Sequence, residues 1–322
     1  MNSIRHSPFA ILLCCVLAAN AASAQQYPTR PVRMIAGVAP GGGLDTICRA
    51  AAQMLTEKFG QTFIVDNRPG GGTVLAMDVV EQATPDGYTL LCSTDTTYIV
   101  GASKRVAYDV RKAYTPIVQM TTQSYMLVMT PSLPIKSVKD LIAYAKAKPG
   151  ALTYGSSGIG TTSHLGLERF DYMAGTKMLH VPYKGAAPAM LDIIAGQIHM
   201  VLASTISATP HIKSGRLRVL ASTGLKRVQS FPELPTVSET LPGFKVTNTY
   251  NLFAPAGMPK PIADTLNRIV GHGMHSPEMM KRLSADGSEP AEPNSPEQFR
   301  AYVVREYDEV DKLLKTLNLK IY

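Results

Sequence analysis

Short aliphatic and β-branched runs alternate along this chain with stretches in which apolar residues recur every three or four positions. "VRMIAGV" (Val32 to Val38), "TFIVD" (Thr62 to Asp66) and "YTLLCS" (Tyr88 to Ser93) read as buried strands. Between the first two, Ile47, Ala50, Ala51, Met54, Leu55 and Phe59 share one helical face. This strand–helix–strand order predicts an α/β sheet. A second helix, "VLAMDVVEQA", sits between the turn sequences "NRPGGGT" (Asn67 to Thr73) and "TPDGYT" (Thr84 to Thr89).

A second set of elements follows. After "YTPIVQM", the segment "YMLVMTPSLPIKSVKDLIAYAKAKPG" predicts a strand, a Pro-rich loop and a helix from near Ser137, stopped by Pro149-Gly150. Next come strand "LTYGSS", a helix from about Thr162, strand "MLHVPY", helix "APAMLDIIAG", and strands "IHMVLAS" and "LRVLAST". "VQSFPELPTVSETLPGF" (Val228 to Phe244) reads as an extended crossing segment ahead of strand "VTNTYNLFAPAG". Two helices close the chain, from Lys260 to about His275 and from Pro296 to about Leu317. Terminal helices without a sheet of their own must pack on an existing one. The expected organisation is a discontinuous first domain, 25–125 plus 250–322, with 126–249 inserted as the second.

The first two dozen residues describe an address. Arg5 and His6 start a basic segment, Phe9 to Ala19 form an apolar run, and Ala22-Ser23-Ala24 is a small-residue cleavage site, so residues 1–24 read as a signal peptide. Export to the periplasm and a soluble mature chain from near Gln25 are expected. Bulky leucines before Cys14 and Cys15 argue against a lipid anchor. Cys48 and Cys92 then remain in a compartment that permits disulfides, and the sequence leaves open whether they form a bridge or two buried thiols. With 45% hydrophobic and 17% charged residues, the chain is globular. Loss of Arg5 takes the formal charge from +8 to +7. Without a Lys/Arg cluster or nucleic-acid module, that excess points to small anions and not to nucleic acid.

Chemistry concentrates in two glycine turns. "IAGVAPGGGLDTICRAAAQML" runs from a strand through Gly41-Gly42-Gly43 into a helix, leaving orphan backbone N–H groups and the positive end of a helix dipole open to an anion. "YGSSGIGTTSHLGLERF" repeats the arrangement and adds hydroxyls from Ser156, Ser157, Thr161, Thr162 and Ser163. Two such turns in two α/β halves predict a cleft site beyond the strands' carboxyl ends. Asp45 is read as the N-cap of the first helix and His164 as a structural residue at a helix start. Enzyme signatures fail: Gly155-x-Ser157 is followed by Ile159 where a nucleophile elbow needs Gly, the dinucleotide fingerprint is broken at Ser163, and no metal-spaced His/Cys set occurs. A hydrolase using Ser156 or Ser157 with His164 as base is therefore the weakest of the functional readings; no cofactor and no metal is expected.

The ordered motifs "YPTRPVRMIAGVAPGGGLDTICRAAAQML", "VDNRPGGGT", "TPDGYTLL", "YGSSGIGTTSHLGLERF", "HVPYKGAAPAMLDIIAGQIHM", "PHIKSGRLRVLAST", "FPELPTVSETLPGF" and "FAPAGMPKPI" resemble the solute receptors of tripartite tricarboxylate transporters, also called Bug receptors. The resemblance runs from Tyr27 onward. It implies an α/β, two-domain periplasmic binding protein of type II architecture with the ligand cleft between domains. It also implies a monomeric receptor that is not an enzyme and delivers its cargo to a two-component membrane permease; a sensory receptor is the alternative. Carried over residue by residue, the first ligand loop is Val38, Ala39, Pro40, Gly41, Gly42, Gly43 and Asp45. The second is Ser156, Ser157, Gly158, Gly160, Thr161, Thr162 and His164, with Ser93, Ala203 and Ser204 at strand ends completing the set. Lys184 is given a turn role. Relatives often carry an aromatic at Val38, Asp at His199 and Asp-Asn at Ala203-Ser204. Loss of that acidic pair removes a partner for an amino group, so the expected ligand is a mono- or dicarboxylate without an ammonium, aromatic acids included.

Overall fold

Val32, Met34, Ile35 and Ala36 have no exposed surface, which is the mark of a strand covered on both faces. The computed structural model describes residues 27–229, 231–285 and 288–317; the signal-peptide reading lies outside the described residues. In chain order the elements are β1 (Val32–Ala36), α1 (Gly43–Phe59), β2 (Phe63–Asn67), α2 (Val74–Glu81), β3 (Thr89–Thr94), α3 (Thr96–Ala102), α4 (Val110–Ala113) and β4 (Tyr114–Met129). There follow α5 (Val138–Ala147), β5 (Thr153–Ser156), α6 (Thr162–Ala174), β6 (Leu179–Pro182), α7 (Ala186–Ile194), β7 (Met200–Ser204), α8 (Thr205–Lys213) and β8 (Arg218–Ser222). The chain returns through β9 (Thr247–Pro255) to α9 (Lys260–Met274), α10 (Pro277–Ala285), β10 (Glu289–Pro290) and α11 (Pro296–Leu317).

The strands join in the order β2-β1-β3-β9-β4-β7-β5-β6, with β8 and β10 also paired to β4. β1 is parallel to β2 and β3, and β5 is parallel to β6 and β7, as strand–helix–strand units require. β4 is antiparallel to β9 in its first part and to β7 and β8 in its second. It is therefore the member common to both lobes. Each lobe is sandwiched between two apolar clusters, one around Ile47, Leu55 and Leu266 and one around Tyr98, Phe253 and Phe299 in the first, with Leu141, Phe170 and Leu202 opposite Met126, Met190 and Ile193 in the second.

Three departures from the sequence reading have physical causes. "YTPIVQM" and "YMLVM" are one 16-residue strand; the polar run between them is buried where β4 crosses between lobes, with Thr121 and Gln123 wholly or almost wholly covered. α8 starts directly from the end of β7 with Ser204 as cap and holds Pro210 inside it, so neither a connecting turn nor a clean helical run announces it. α10 is a short helix between two longer ones.

The cysteines form a disulfide. Cys48 and Cys92 have Cα atoms 6.2 Å apart, and the bridge ties α1 to β3 across a 44-residue separation. Closing a loop of that size in the unfolded chain corresponds to about 4 kcal/mol in the chain-entropy model. The double variant Cys48→Ala/Cys92→Ala should lose stability of that order in urea unfolding while keeping its fold.

Candidate functional site

α1 begins where β1 ends, and its first turn is shaped by contacts that only glycine permits. A Cβ on Gly43 would stand 2.1 Å from the Tyr250 hydroxyl oxygen and 2.5 Å from Ser204 Oγ. Gly41 takes a left-handed φ of 90°, while Gly42 is extended and is itself the N-cap. Asp45 is therefore not the cap. It lies inside the first turn and reaches back, Oδ2 accepting from Gly41 N–H at 3.0 Å and from Arg49 Nε at 2.9 Å, while Oδ1 accepts from Asn67 Nδ2 at 2.9 Å. Burial alone would raise its pKa, but these bonds outweigh it and hold the carboxyl below the usual range. Its charge is thus turned inward and neutralised by Arg49. Among the described residues the amides of Gly42 and Gly43 have no protein acceptor, so they are the donors this helix start offers.

The second loop is held by its own side chains. Thr161 caps α6, Ser163 Oγ accepts from Ser157 N–H at 3.1 Å, and Ser156 Oγ accepts from Gly158 N–H at 3.1 Å. Behind it stand two stacked histidines with ring centroids 4.0 Å apart. His164 Nδ1 accepts from Gly160 N–H at 3.2 Å, its Nε2 lies 3.6 Å from Glu168, and His180 Nε2 is 2.6 Å from Ser156 Oγ. Burial, with Arg105 nearby, pushes His164 down to about 4; burial and His164 push His180 down to about 3. Both rings are neutral at neutral pH, which is what lets His164 accept the amide.

Between the loops lies a cavity of about 40 Å³. Lobe one lines it with Val38, Gly42, Gly43, Thr94 and Thr96, and lobe two with Ser157, Thr161, Ser163 and Ser204. The crossing strands add Tyr125 on β4 and Asn248 and Tyr250 on β9. Among the described residues no Asp, Glu, Lys or Arg lines it. Burial pushes the Tyr250 phenol up to about 12 and Tyr125 well above its usual value, so both keep their protons as donors. Two larger grooves of about 580 and 660 Å³ lie elsewhere, ringed by charged side chains such as Arg305, Glu309 and Lys312 in one and Glu57, Arg268 and Glu278 in the other. The first is also lined by Thr162 at the start of α6, but the Gly41–Gly43 turn lines neither.

The residues carried over from the motifs sort by this geometry. Val38, Gly42, Gly43, Ser157, Thr161 and Ser204 line the cavity. Ala39 instead donates its N–H to Lys184 O at 3.0 Å across the lobes, and Pro40 and Gly41 are exposed in that turn, outside the lining. Ser93 faces the core, 2.5 Å from Thr97 Oγ1, because the next residue, Thr94, takes the cleft side of the strand. Ala203 packs in the core of lobe two for the same reason. Ser156 and His164 point away from the cavity, Gly158 and Gly160 give the loop its positive φ, and Thr162 N–H donates to Thr96 Oγ1 at 3.3 Å. His199 bonds Thr153 at the far end of its strand and takes no part in the site. Tyr125, Asn248 and Tyr250 also line the cavity and are not among the residues the motifs supply; their signal is a polar residue inside an otherwise apolar strand.

A family model described as the tripartite tricarboxylate transporter family receptor matches residues 47–319. The chain belongs to this family. It is 33% identical over 288 residues to Protein BugT of Bordetella pertussis, covering 88% of this chain and 88% of that protein. Among solved structures it is similar to Rpa4515 of R. palustris, solved with adipate, at 34% identity and a TM-score of 0.86, covering 91% of this chain and 98% of that one. MatC from Rhodopseudomonas palustris, with bound malate, is 26% identical with a TM-score of 0.86, covering 89% of this chain and 100% of that one. The fold is thus that of a two-domain periplasmic binding protein. Members of the tricarboxylate receptor family are periplasmic solute-binding receptors, not enzymes, and Ser156, bonded to half-buried His180, is not among the residues lining the cavity. No helix among the described residues is long and apolar enough to cross a membrane.

Two predictions follow from this geometry. Gly43→Ala places a methyl where Tyr250 and Ser204 already stand and should abolish ligand binding by calorimetry, whereas Gly42→Ala, whose nearest neighbour would be Ala186 Cβ at 3.8 Å, should bind within a few-fold of wild type. The second concerns pH. His164 binds its proton in the unfolded chain near pH 6.5 and in the folded one only near 4, so its contribution to stability falls as pH drops through that window. Buried Asp95, raised to about 7 by burial, acts with the opposite sign. The wild-type minus His164→Gln difference in unfolding free energy reports this ring together with its push on His180, and should fall by about 2 kcal/mol between pH 7.5 and 4.5.

Proposed function

We propose that this receptor captures a small carboxylate lacking an ammonium group, a mono- or dicarboxylate with aromatic acids included, by closing its lobes around it. The observation that carries the reading is a cleft whose donors are all neutral: helix-start amides, hydroxyls and phenols, with no carboxylate to pair with an ammonium. A carboxylate between the starts of α1 and α6 would meet both dipoles' positive ends. The adipate and malate of the two R. palustris receptors belong to the same chemical class. We assign 25–125 plus 250–322 to one lobe and 126–249 to the other, with β4 and β9 as the hinge. The loaded form would pass its cargo to a two-component permease.

A thermal-shift screen of the mature chain tests this. Adipate, malate and benzoate stand against aspartate and glutamate, and a ligand at a hundred times its dissociation constant adds about 2.7 kcal/mol of stability. The expected outcome is a shift with at least one acid lacking an ammonium. Tight binding of aspartate or glutamate with no response to the others rejects the reading. Ser204→Asp keeps a good N-cap for α8 but puts a negative charge in the cavity, and it should weaken binding of the acid by more than tenfold.

A further inference from the structure

The Gly70-Gly71-Gly72 turn has no part in the cavity, yet its backbone meets lobe two directly. A Cβ on Gly72 would stand 2.1 Å from Ile159 O, and one on Gly158 would stand 3.2 Å from Gly72 Cα. Only bare backbone fits on both sides of this contact. Gly72 also holds φ 60° and ψ 48°. Beside it, Arg105 donates from Nη2 to Gly71 O at 2.7 Å in its own lobe and from Nη1 to Ile159 O at 2.6 Å in the other. One residue beyond Ile159, Gly160 N–H is fixed by His164 Nδ1 at 3.2 Å. The tip of the second loop is thus gripped by Arg105 on its carbonyl and by His164 on the following amide. Neither Arg105 nor Gly72 lines the cavity.

We propose that Arg105 and the Gly70–Gly72 turn form an interlobe latch that sets the lifetime of the closed receptor without touching its ligand. The planar guanidinium spans two carbonyls at fixed separation, one from each lobe, which a lysine ammonium on a flexible stem does not reproduce. Opening the lobes breaks the bond to Ile159 and separates the two glycine backbones. The latch rests on the carboxylate-receptor reading only for what is trapped, because closure itself is measurable without ligand.

Three variants test it: Arg105→Ala, Arg105→Lys, and Gly72→Asn, which adds a side chain at the contact but tolerates the left-handed backbone. Dissociation rates are measured with adipate and malate, and the radius of gyration by small-angle scattering with and without each acid. Arg105→Ala and Gly72→Asn should dissociate about tenfold faster and scatter as more open particles, with Arg105→Lys between them and wild type. If all three match wild type in both rate and scattering, the latch is overturned. Should wild type bind neither acid, that counts against the carboxylate reading. The ligand-free scattering then decides the latch: a larger radius for Arg105→Ala and Gly72→Asn supports it, and identical curves overturn it.

Discussion

The site depends on two helix starts sharing one small space. An anion held by backbone amides needs those amides unobstructed, and a side chain at Gly43 would occupy the position of the Tyr250 hydroxyl. Tyr250 is in place because β9 crosses between lobes beside β4, and Ser204 because β7 ends there and α8 begins. The disulfide joins α1 to β3 two residues before Thr94, so lobe one's two contributions to the cleft are tied to each other. Lobe two fixes its own contribution with Thr161 as cap and Ser163 and His164 as acceptors for loop amides.

The proposed neutral recognition of an anion has consequences. A lysine or arginine in the cavity would have to be desolvated on closure, a cost that grows as the dielectric falls. Amides and hydroxyls already oriented by the fold avoid that cost and gain strength as water is excluded. The charged groups that do lie near are turned away or neutralised: Asp45 onto Arg49, the histidines deprotonated, Arg105 onto two carbonyls. In the proposed mode of capture, affinity would depend on how completely the lobes close, since each lobe alone presents only part of the donor set.

Much of this was legible in the sequence, and the misses share a cause. The strand–helix alternation, both glycine turns and their role as helix starts follow from residue type and spacing. Which face of a strand end meets the cleft does not, because adjacent residues point to opposite sides: Thr94 lines the cavity while Ser93 is in the core, and Ser204 lines it while Ala203 does not. The same holds for the role of Asp45, whose three partners come from Gly41, Arg49 and Asn67 and depend on how α1 sits against β2. The polar stretch where β4 and β9 run side by side could not be read from periodicity either. Buried polar residues at Gln123, Asn248 and Tyr250 interrupt an apolar pattern for a reason that exists only once two lobes meet there.

In the proposed complex, neutral donors from both helix starts hold a carboxylate. A crystal structure of the mature chain with a bound acid identified by thermal shift tests it most directly. A carboxylate oxygen is expected at about 2.7–3.2 Å from the Gly42 or Gly43 nitrogen, with hydroxyl contacts from lobe two. An acid bound instead by Arg169, Lys245 or Arg305 in the 580 Å³ groove, with the glycine turn left free, would contradict it.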